Sequence, residues 1–527
     1  MAASSPAITA APTWKPSYNP WLIAASVMLA TFMEVLDTSV ANVSLPHIAG
    51  NLSATTDEAT WVLTSYLVAN AIILPATNWL GNLFGRKRFL VSCIVLFTVS
   101  SALCGAAGSL GFLVLARVLQ GAAGGALQPI SQAVLLESFP PAKRGAAMAV
   151  FAMGVVVAPI LGPTLGGWIT DNYSWRWVFY INLPIGLLAA LMANSFIEDP
   201  PYLKKVSASN IDYLGFGFLA IWLATLQYVL DKCQELDWLS SHTIAWCVVI
   251  SVLALIAFVV RELTAHQPLV DLRVLKNRNL AVGCVLIGVL GALLYGTISV
   301  LPLFMQNLLH YTALDAGLAL SPRGVGAFLA TIVVGRLVGK INNRILITIG
   351  FLGLAYSSFL FGNINLSIGM SSIVWPTMLS GVAISFIFVP LATSSMGTLA
   401  PDQIGNASGL FNLMRNLGGS VGIAGITTLV ARGAQANQAA FVGHFSQFNP
   451  IYQQKLAAIQ QGLATSEGPW RAAHQAPQVL YGILRQQSLL VTYAHNFELF
   501  GMLCLVTVPL VFFFKKVNKA KAPIGAH

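Results

Sequence analysis

The sequence predicts an all-α integral membrane protein with fourteen transmembrane helices, arranged as two six-helix halves with two further helices inserted between them. Three observations predict it. Only 9% of the 527 residues are charged and 56% are hydrophobic, whereas a soluble domain carries roughly 25% charged residues. Fourteen apolar runs are long enough to span: 21–43, 59–80, 89–107, 110–137, 145–170, 177–197, 211–230, 243–262, 280–304, 314–335, 345–363, 371–396, 408–431 and 489–514. Each is about twice as long as a barrel strand, so helices are the spanning element. Finally, Leu119, Gly121, Pro141, Gly145, Ala147 and Gly162 recur 260 positions on as Leu379, Gly381, Pro401, Gly405, Ala407 and Gly422, and Pro129 recurs one place late as Pro390.

Taken in order, residues 1–20 form a tail rich in Ala, Ser and Pro. The run after it is too long for a signal peptide and lacks a small-residue cleavage pattern. The first six-helix half covers 21–200, the inserted pair 205–265, the second half 278–514, and a short basic tail 515–527. Alternating the loops across the membrane puts nineteen Lys and Arg on one side and six on the other, which places both termini in the cytoplasm. That distribution accounts for the net charge of +10 without a nucleic-acid partner. The six cysteines form no CxxC pair and read as small core residues, with no metal or disulfide framework.

The chemistry concentrates in the first run. Glu34 and Asp37 lie inside it, and burying an ionised carboxylate in a bilayer is expensive enough to mark a working group. Their i, i+3 spacing puts both on one helix face, pointing to a proton-handling site; two acids satisfied by structural hydrogen bonds is the alternative. Three arginines also lie inside spans: Arg117, Arg323 and Arg415. At 1.5 Å per residue, Asp37 on the outward-running first helix and Arg117 on the inward-running fourth both sit roughly 10 Å below the outer surface, so they are expected to meet. Position 377, the repeat equivalent of Arg117, is a threonine, so this arginine belongs to the first half alone.

These motifs carry a family resemblance. Leu36, Asp37, Thr38, Val40, Asn42, Leu45 and Pro46 resemble the aspartate motif of fourteen-span drug:proton antiporters of the major facilitator superfamily. Arg117, Gln120, Gly121, Gly124 and Gly125 resemble its RxxQGxxGG motif, and Gly154, Pro159, Gly162, Pro163, Gly166 and Gly167 its antiporter motif on helix five. With the stretch from Trp175 to Gly186, the chain resembles the EmrB-type exporters over nearly its whole length. The loop around Asn82, Gly85, Arg86 and Lys87 resembles the gating motif, except that Asn82 stands where an aspartate is usual. A hydrogen bond to a neighbouring helix end survives that change; a charge contact does not. Arg86, Lys87 and Arg88 also serve as topology determinants.

The resemblance implies a major facilitator fold in the bacterial cytoplasmic (inner) membrane. It implies export of small amphipathic compounds by alternating access, driven by the proton gradient with no cofactor. Proton coupling falls to Glu34, Asp37 and Arg117, with Glu34 alternatively selecting cationic substrates. By analogy with the fold, helices one, four, nine and twelve line a broad cavity, offering Asn42, Gln120, Gln128, Gln132, Tyr295, Phe386 and Phe388. The helix-five glycines and prolines are expected to form a tight, bendable contact between the halves. Residues 432–488, polar and rich in glutamine, read as an outer loop with two short helices from Ile451 and Trp470. This loop is a candidate contact for an EmrA-type periplasmic adaptor and outer-membrane channel; a solvated loop without a partner is the alternative. No phosphate-binding GxxxxGK[ST] loop appears. An HxxxxD pattern at His310 and Asp315 has no companion motif, so the enzyme reading is set aside. The second functional reading is a same-fold exporter of one endogenous solute, such as a siderophore, lipid or fatty acid.

Overall fold

The computed structural model describes residues 16–140, 143–199, 212–234, 236–265, 268–400, 403–443, 445–446 and 448–515. Most of both expected tails, the start of the inserted segment and the repeat prolines Pro141 and Pro401 lie outside the described residues. The helices, in chain order, are α1 Pro20–Val43, α2 Leu45–Asn51, α3 Thr56–Ala59, α4 Trp61–Phe84, α5 Arg86–Gly105, α6 Leu110–Ser138, α7 Arg144–Asn172, α8 Trp177–Tyr180, α9 Asn182–Phe196, α10 Tyr213–Lys232, α11 His242–Thr264, α12 Arg278–Leu308, α13 Ala313–Leu320, α14 Pro322–Leu337, α15 Asn343–Gly362, α16 Met370–Met396, α17 Ile404–Val442, α18 Pro450–Glu467 and α19 Pro469–Val511. Among the described residues the only strand-like feature is one isolated bridge, Val338 to Ile341.

Thirteen helical segments are long and apolar enough to cross a membrane, and α7 adds a fourteenth as a bent pair. The 42° bend of α7 falls between Pro159 and Leu161, where Pro159 and Pro163 each remove a backbone donor. The sixth span is α8 with α9, and the tenth is α13 with α14, the latter interrupted at Ser321 ahead of Pro322. Polar caps start several spans: Ser109 accepts from the Phe112 N–H and Asn277 from those of Asn279 and Leu280. Each half makes its tight turn between second and third spans on a glycine in the left-handed region, Gly85 at φ 87° and Gly339 at φ 86°.

Among its described residues, the segment 432–488 is mostly helical. At 1.5 Å per residue, the 39-residue α17 and the 43-residue α19 are roughly 60 Å long, about twice the hydrocarbon thickness. Of the two short helices expected there, the first is α18 and the second is the beginning of α19 itself. Polarity in this stretch marks where the chain leaves the hydrocarbon; nothing at that point ends the helix.

Within the first half α1 packs on α7 and α4 on α6; within the second, α12 packs on α17 and α14 on α16. The halves meet where α4 and α6 face α17 and where α7 faces α14. The inserted α10 lies against both α4 and α17, with Gln227 accepting from the Ser420 hydroxyl at 2.8 Å and the Lys232 ammonium donating to Thr60 at 3.1 Å.

Candidate functional site

Helix α1 carries the acids into the centre of the first half, and its seat on α7 fixes where they point. A Cβ added at Gly162 would lie 2.2 Å from Ser39 Oγ, and one at Gly166 3.0 Å from the Val40 backbone oxygen, while the Ser39 hydroxyl donates to the Pro159 carbonyl at 2.9 Å. At Gly154 the neighbour is Met28 at 3.4 Å, and at Gly167 it is Val43 at 4.0 Å. The glycine face of α7 therefore packs inside the first half, which corrects the expectation that this motif forms the contact between halves. That contact uses another face of α7, where Ala149 and, from within the motif stretch itself, Thr164 approach Gly335 and Gly317. Small residues serve close approach in both places; sequence alone does not say which neighbour approaches.

Asp37 is 1% exposed and its carboxylate accepts three hydrogen bonds. Arg117 Nη1 donates to Oδ2 at 2.6 Å, Gln120 Nε2 to Oδ1 at 2.9 Å, and Asn182 Nδ2 to Oδ1 at 2.7 Å. Arg117 is itself fully buried, donating from Nε to the Val62 carbonyl at 3.0 Å and from Nη1 to Gln120 Oε1 at 2.8 Å. Its guanidinium lies over the Tyr66 ring, 4.2 Å from the centroid, an arrangement that stabilises a desolvated cation. The expected meeting of Asp37 and Arg117 is thus a direct, charge-assisted ion pair.

Glu34, one helical turn toward the N-terminus of α1 and 4% exposed, has a separate set of partners. Tyr66 Oη donates to Oε1 at 3.2 Å, Asn70 Nδ2 to the same oxygen at 3.1 Å, and Gln128 Nε2 to Oε2. Gly124 and Gly125 let α4 approach α6 closely enough for this: a Cβ at Gly125 would lie 2.4 Å from the Asn70 carbonyl oxygen, and one at Gly124 2.7 Å from Tyr66 Oη. From the second half, Arg415 Nη2 donates to Gln128 Oε1. Nearby, Gln132 Oε1 accepts from Ser408 Oγ at 2.8 Å and from Asn412 Nδ2 at 2.7 Å, joining α6 to α17.

Gln120, Gln128 and Gln132 therefore sit in buried polar networks, two of which cross between the halves. The remaining expected cavity residues are dispersed. Asn42 is exposed near the C-terminal end of α1 and joins neither network. Tyr295 is half-buried on α12 against Gly419, and Phe386 is half-buried on α16. Phe388 is 2% exposed and stacks on Phe151 of α7 across the interface, with centroids 6.2 Å apart. On the opposite side, Gly85 makes the turn into α5, Arg86 pairs with Glu137, and the Lys87 N–H donates to Asp199 at 2.8 Å. Asn82 Oδ1 is buried without a hydrogen-bond partner, so the helix-end bond expected of it is not made through that atom; Asn78 instead abuts Gly405 in the first turn of α17. Sequence reasoning does not single out Tyr66, Asn70 or Asn182, although Asn182 lies within the Trp175–Gly186 motif.

A family model of the Major Facilitator Superfamily matches residues 27–423. The chain is 39% identical to the multidrug export protein EmrB of Haemophilus influenzae, over 87% of this chain and 89% of that one. It is 36% identical to the multidrug export protein EmrB of Escherichia coli over 96% of each chain. Similarity to the fatty acid resistance protein FarB of Neisseria gonorrhoeae is also 36%, over 94% of this chain and 96% of that one. Among solved structures, the human organic anion transporter MFSD10 (TETRAN) is 13% identical with a TM-score of 0.58, covering 93% of this chain and all of that one, a likeness of fold.

Proposed function

Because the chain belongs to the major facilitator superfamily, and within it to the EmrB-type exporters, we propose that it is a multi-pass multidrug efflux transporter that exchanges small amphipathic compounds for protons. The observation that carries the proton half of this reading is the Asp37–Arg117 pair, both partners fully desolvated within membrane-spanning helices. Three donors converge on one carboxylate, so a proton added to Asp37 releases part of that set and frees Arg117 to change partners. Glu34 serves as the second proton site, and its bonds to Tyr66, Asn70 and Gln128 favour that role over direct selection of cationic substrates.

In this reading the antiporter-motif residues Gly154, Pro159, Gly162, Pro163, Gly166 and Gly167 hold α1 and its acids in register. Gly85, Arg86 and Lys87 close the cytoplasmic side, and the protein sits in the bacterial cytoplasmic membrane with both termini inside. The projection formed by α18 and the extended ends of α17 and α19 is the surface offered to an EmrA-type adaptor; it exposes Phe448, Ile451 and Trp470. A second reading, export of one endogenous amphipath such as a fatty acid, is favoured by the likeness to FarB.

The test is exchange in proteoliposomes. Asp37→Asn is expected to bind substrate but not to accumulate it against a pH gradient. Full proton-driven accumulation by that variant would remove Asp37 from the mechanism. A growth-inhibition panel in a pump-deficient host separates broad efflux from a single solute.

A further inference from the structure

Glu34 belongs to a closed ring of hydrogen bonds that straddles the two halves. Glu34 Oε1 accepts from Asn70 Nδ2 at 3.1 Å, Asn70 Oδ1 from Asn416 Nδ2 at 3.4 Å, and Asn416 Oδ1 from Arg415 Nη2 at 3.4 Å. Arg415 Nη2 also donates to Gln128 Oε1, and Gln128 Nε2 closes the ring on Glu34 Oε2. The first-half members come from α1, α4 and α6, the second-half members from α17. Arg415 is 1% exposed, yet its Nε and Nη1 have no hydrogen-bond partner, and among the described residues no acid touches its guanidinium. Its positive charge faces Glu34 through a single amide.

We propose that Arg415 is a positioning residue for proton coupling: through Gln128 it latches α17 of the second half to the Glu34 carboxylate of the first, and a proton on Glu34 opens the latch. The inference rests on the proton-exchange reading above. The hydrogen-bond directions supply the mechanism. An ionised carboxylate only accepts, so Gln128 must turn its NH2 toward Glu34 and its carbonyl toward Arg415, which only donates. Once Glu34 Oε2 carries the proton, that oxygen donates and Gln128 must present its carbonyl to it. The amide NH2 then faces the guanidinium, donor against donor, and the Arg415–Gln128 bond is lost, which leaves α17 tied at this level only by the longer Asn416–Asn70 bond at 3.4 Å and by Gln132 further along α6. No covalent bond other than the Glu34 O–H is made or broken; the Gln128 amide exchanges its bond to Glu34 for the reverse one, and the proton leaves when Glu34 ionises again with the site open to the other side.

The second half is built to follow that bond. A Cβ at Gly291 of α12 would lie 2.2 Å from the Arg415 carbonyl oxygen, and one at Gly418 2.0 Å from the Gly288 carbonyl oxygen. So close a backbone contact means that displacing α17 at Arg415 displaces α12 with it. The ionisable groups around Glu34 are Tyr66 on α4, Asp37 and Arg117 one turn outward, and Arg415; toward α7, helix α1 meets the glycines and Pro159 described above.

The experiment measures proton-driven exchange of ethidium in proteoliposomes of the full-length protein across a range of pH, alongside ethidium binding. Arg415→Met should keep binding, lose roughly tenfold in exchange, within the usual range for coupling between two sites, and show a flattened pH profile; Arg415→Lys should restore part of the profile. Gln128→Leu, which breaks the relay but keeps the charge, should flatten the profile in the same way and carries the test if Arg415→Met does not fold. A wild-type pH profile in Gln128→Leu or Arg415→Met overturns the latch. Should Glu34→Gln also exchange like wild type, the proton role of Glu34 fails with it; a flattened profile in Glu34→Gln alone would fault only the latch.

Discussion

The two halves share a backbone and differ in their charges. In each, a repeat glycine lets two helices touch at the same level: a Cβ at Gly121 would lie 2.3 Å from the Tyr66 carbonyl oxygen, and one at Gly381 2.0 Å from that of Arg323. In the first half Tyr66 offers its ring to Arg117, which Asp37 neutralises. In the second half Arg323 itself occupies the place opposite the glycine, with Nε and Nη2 unpartnered, and helices α12, α14, α15, α16 and α17 contain no acid. Thr377, the repeat equivalent of Arg117, turns its hydroxyl back to the Ile373 carbonyl at 2.6 Å. The packing at this level is shared, whereas a buried acid–arginine pair is found here in the first half; one acid in the spans of the second half, Glu498 on α19, lies against Gly362 instead. In the proposed mechanism the first half carries the proton and the second moves against it.

The largest expected effect tests that asymmetry directly. Arg117→Ala leaves Asp37 buried and unpaired, a loss of about 3–5 kcal/mol in comparable buried pairs, and should abolish coupled exchange; Arg117→Lys should keep some. Thr377→Ala removes a hydroxyl bonded only to its own helix and should cost well under that, with exchange intact. Thermal unfolding in detergent together with proteoliposome exchange decides it. Equal damage from Arg117→Ala and Thr377→Ala would mean that the level has a packing role in both halves.

A smaller effect is expected one turn further along. Gly125 admits the Asn70 backbone, whereas its repeat equivalent is Ser385, whose hydroxyl donates to the Ala327 carbonyl at 3.0 Å and accepts from Thr331 Oγ1 at 2.9 Å. Gly125→Ser imports the second-half residue where no room exists, so it should cost about 1–3 kcal/mol through overpacking. It should also impair exchange, because Asn70 is pushed off Glu34. The reverse change, Ser385→Gly, gives up hydrogen bonds worth about 1 kcal/mol and should leave exchange unaltered. Were Gly125→Ser to exchange like the parent protein, Asn70 would not need its present position.

How far the sequence reveals this arrangement depends on whether a feature is local. Span number follows from hydropathy, and the meeting of Asp37 with Arg117 follows from helical rise alone, because both residues sit a known distance from a recognisable helix end. The separation of Glu34 from Asp37 is not local. Their i, i+3 spacing suggests one shared environment, but the partners of Glu34 come from α4 and, through Gln128, from Arg415 on α17, hundreds of residues away. The same limit explains the α7 glycines, whose spacing announces close approach without naming α1 as the neighbour. It also explains Phe388, which reads as a cavity aromatic and is in fact stacked on Phe151.

That stack gives the smallest predicted effect and the finest test of the comparison. Phe151 and Phe388 lie with rings 18° from parallel, one on α7 and the other on α16, so they join the halves without touching either acid. An aromatic pair of this kind contributes about 0.5–1.5 kcal/mol beyond the area it buries. Phe388→Leu keeps an apolar side chain of similar reach and gives up mainly the stacking. If the stack stabilises the arrangement described here relative to one in which the halves have rocked apart, Phe388→Leu shifts that balance by up to about tenfold, since 1.4 kcal/mol is a factor of ten. The pH dependence of exchange should stay unchanged, because no hydrogen-bond partner of Asp37 or Glu34 is touched. Distances between spin labels on α7 and α16, measured with and without substrate, report the shift. A change in the pH profile instead would show that packing between the halves and protonation in the first are not separable, and the division of labour argued above would have to be given up.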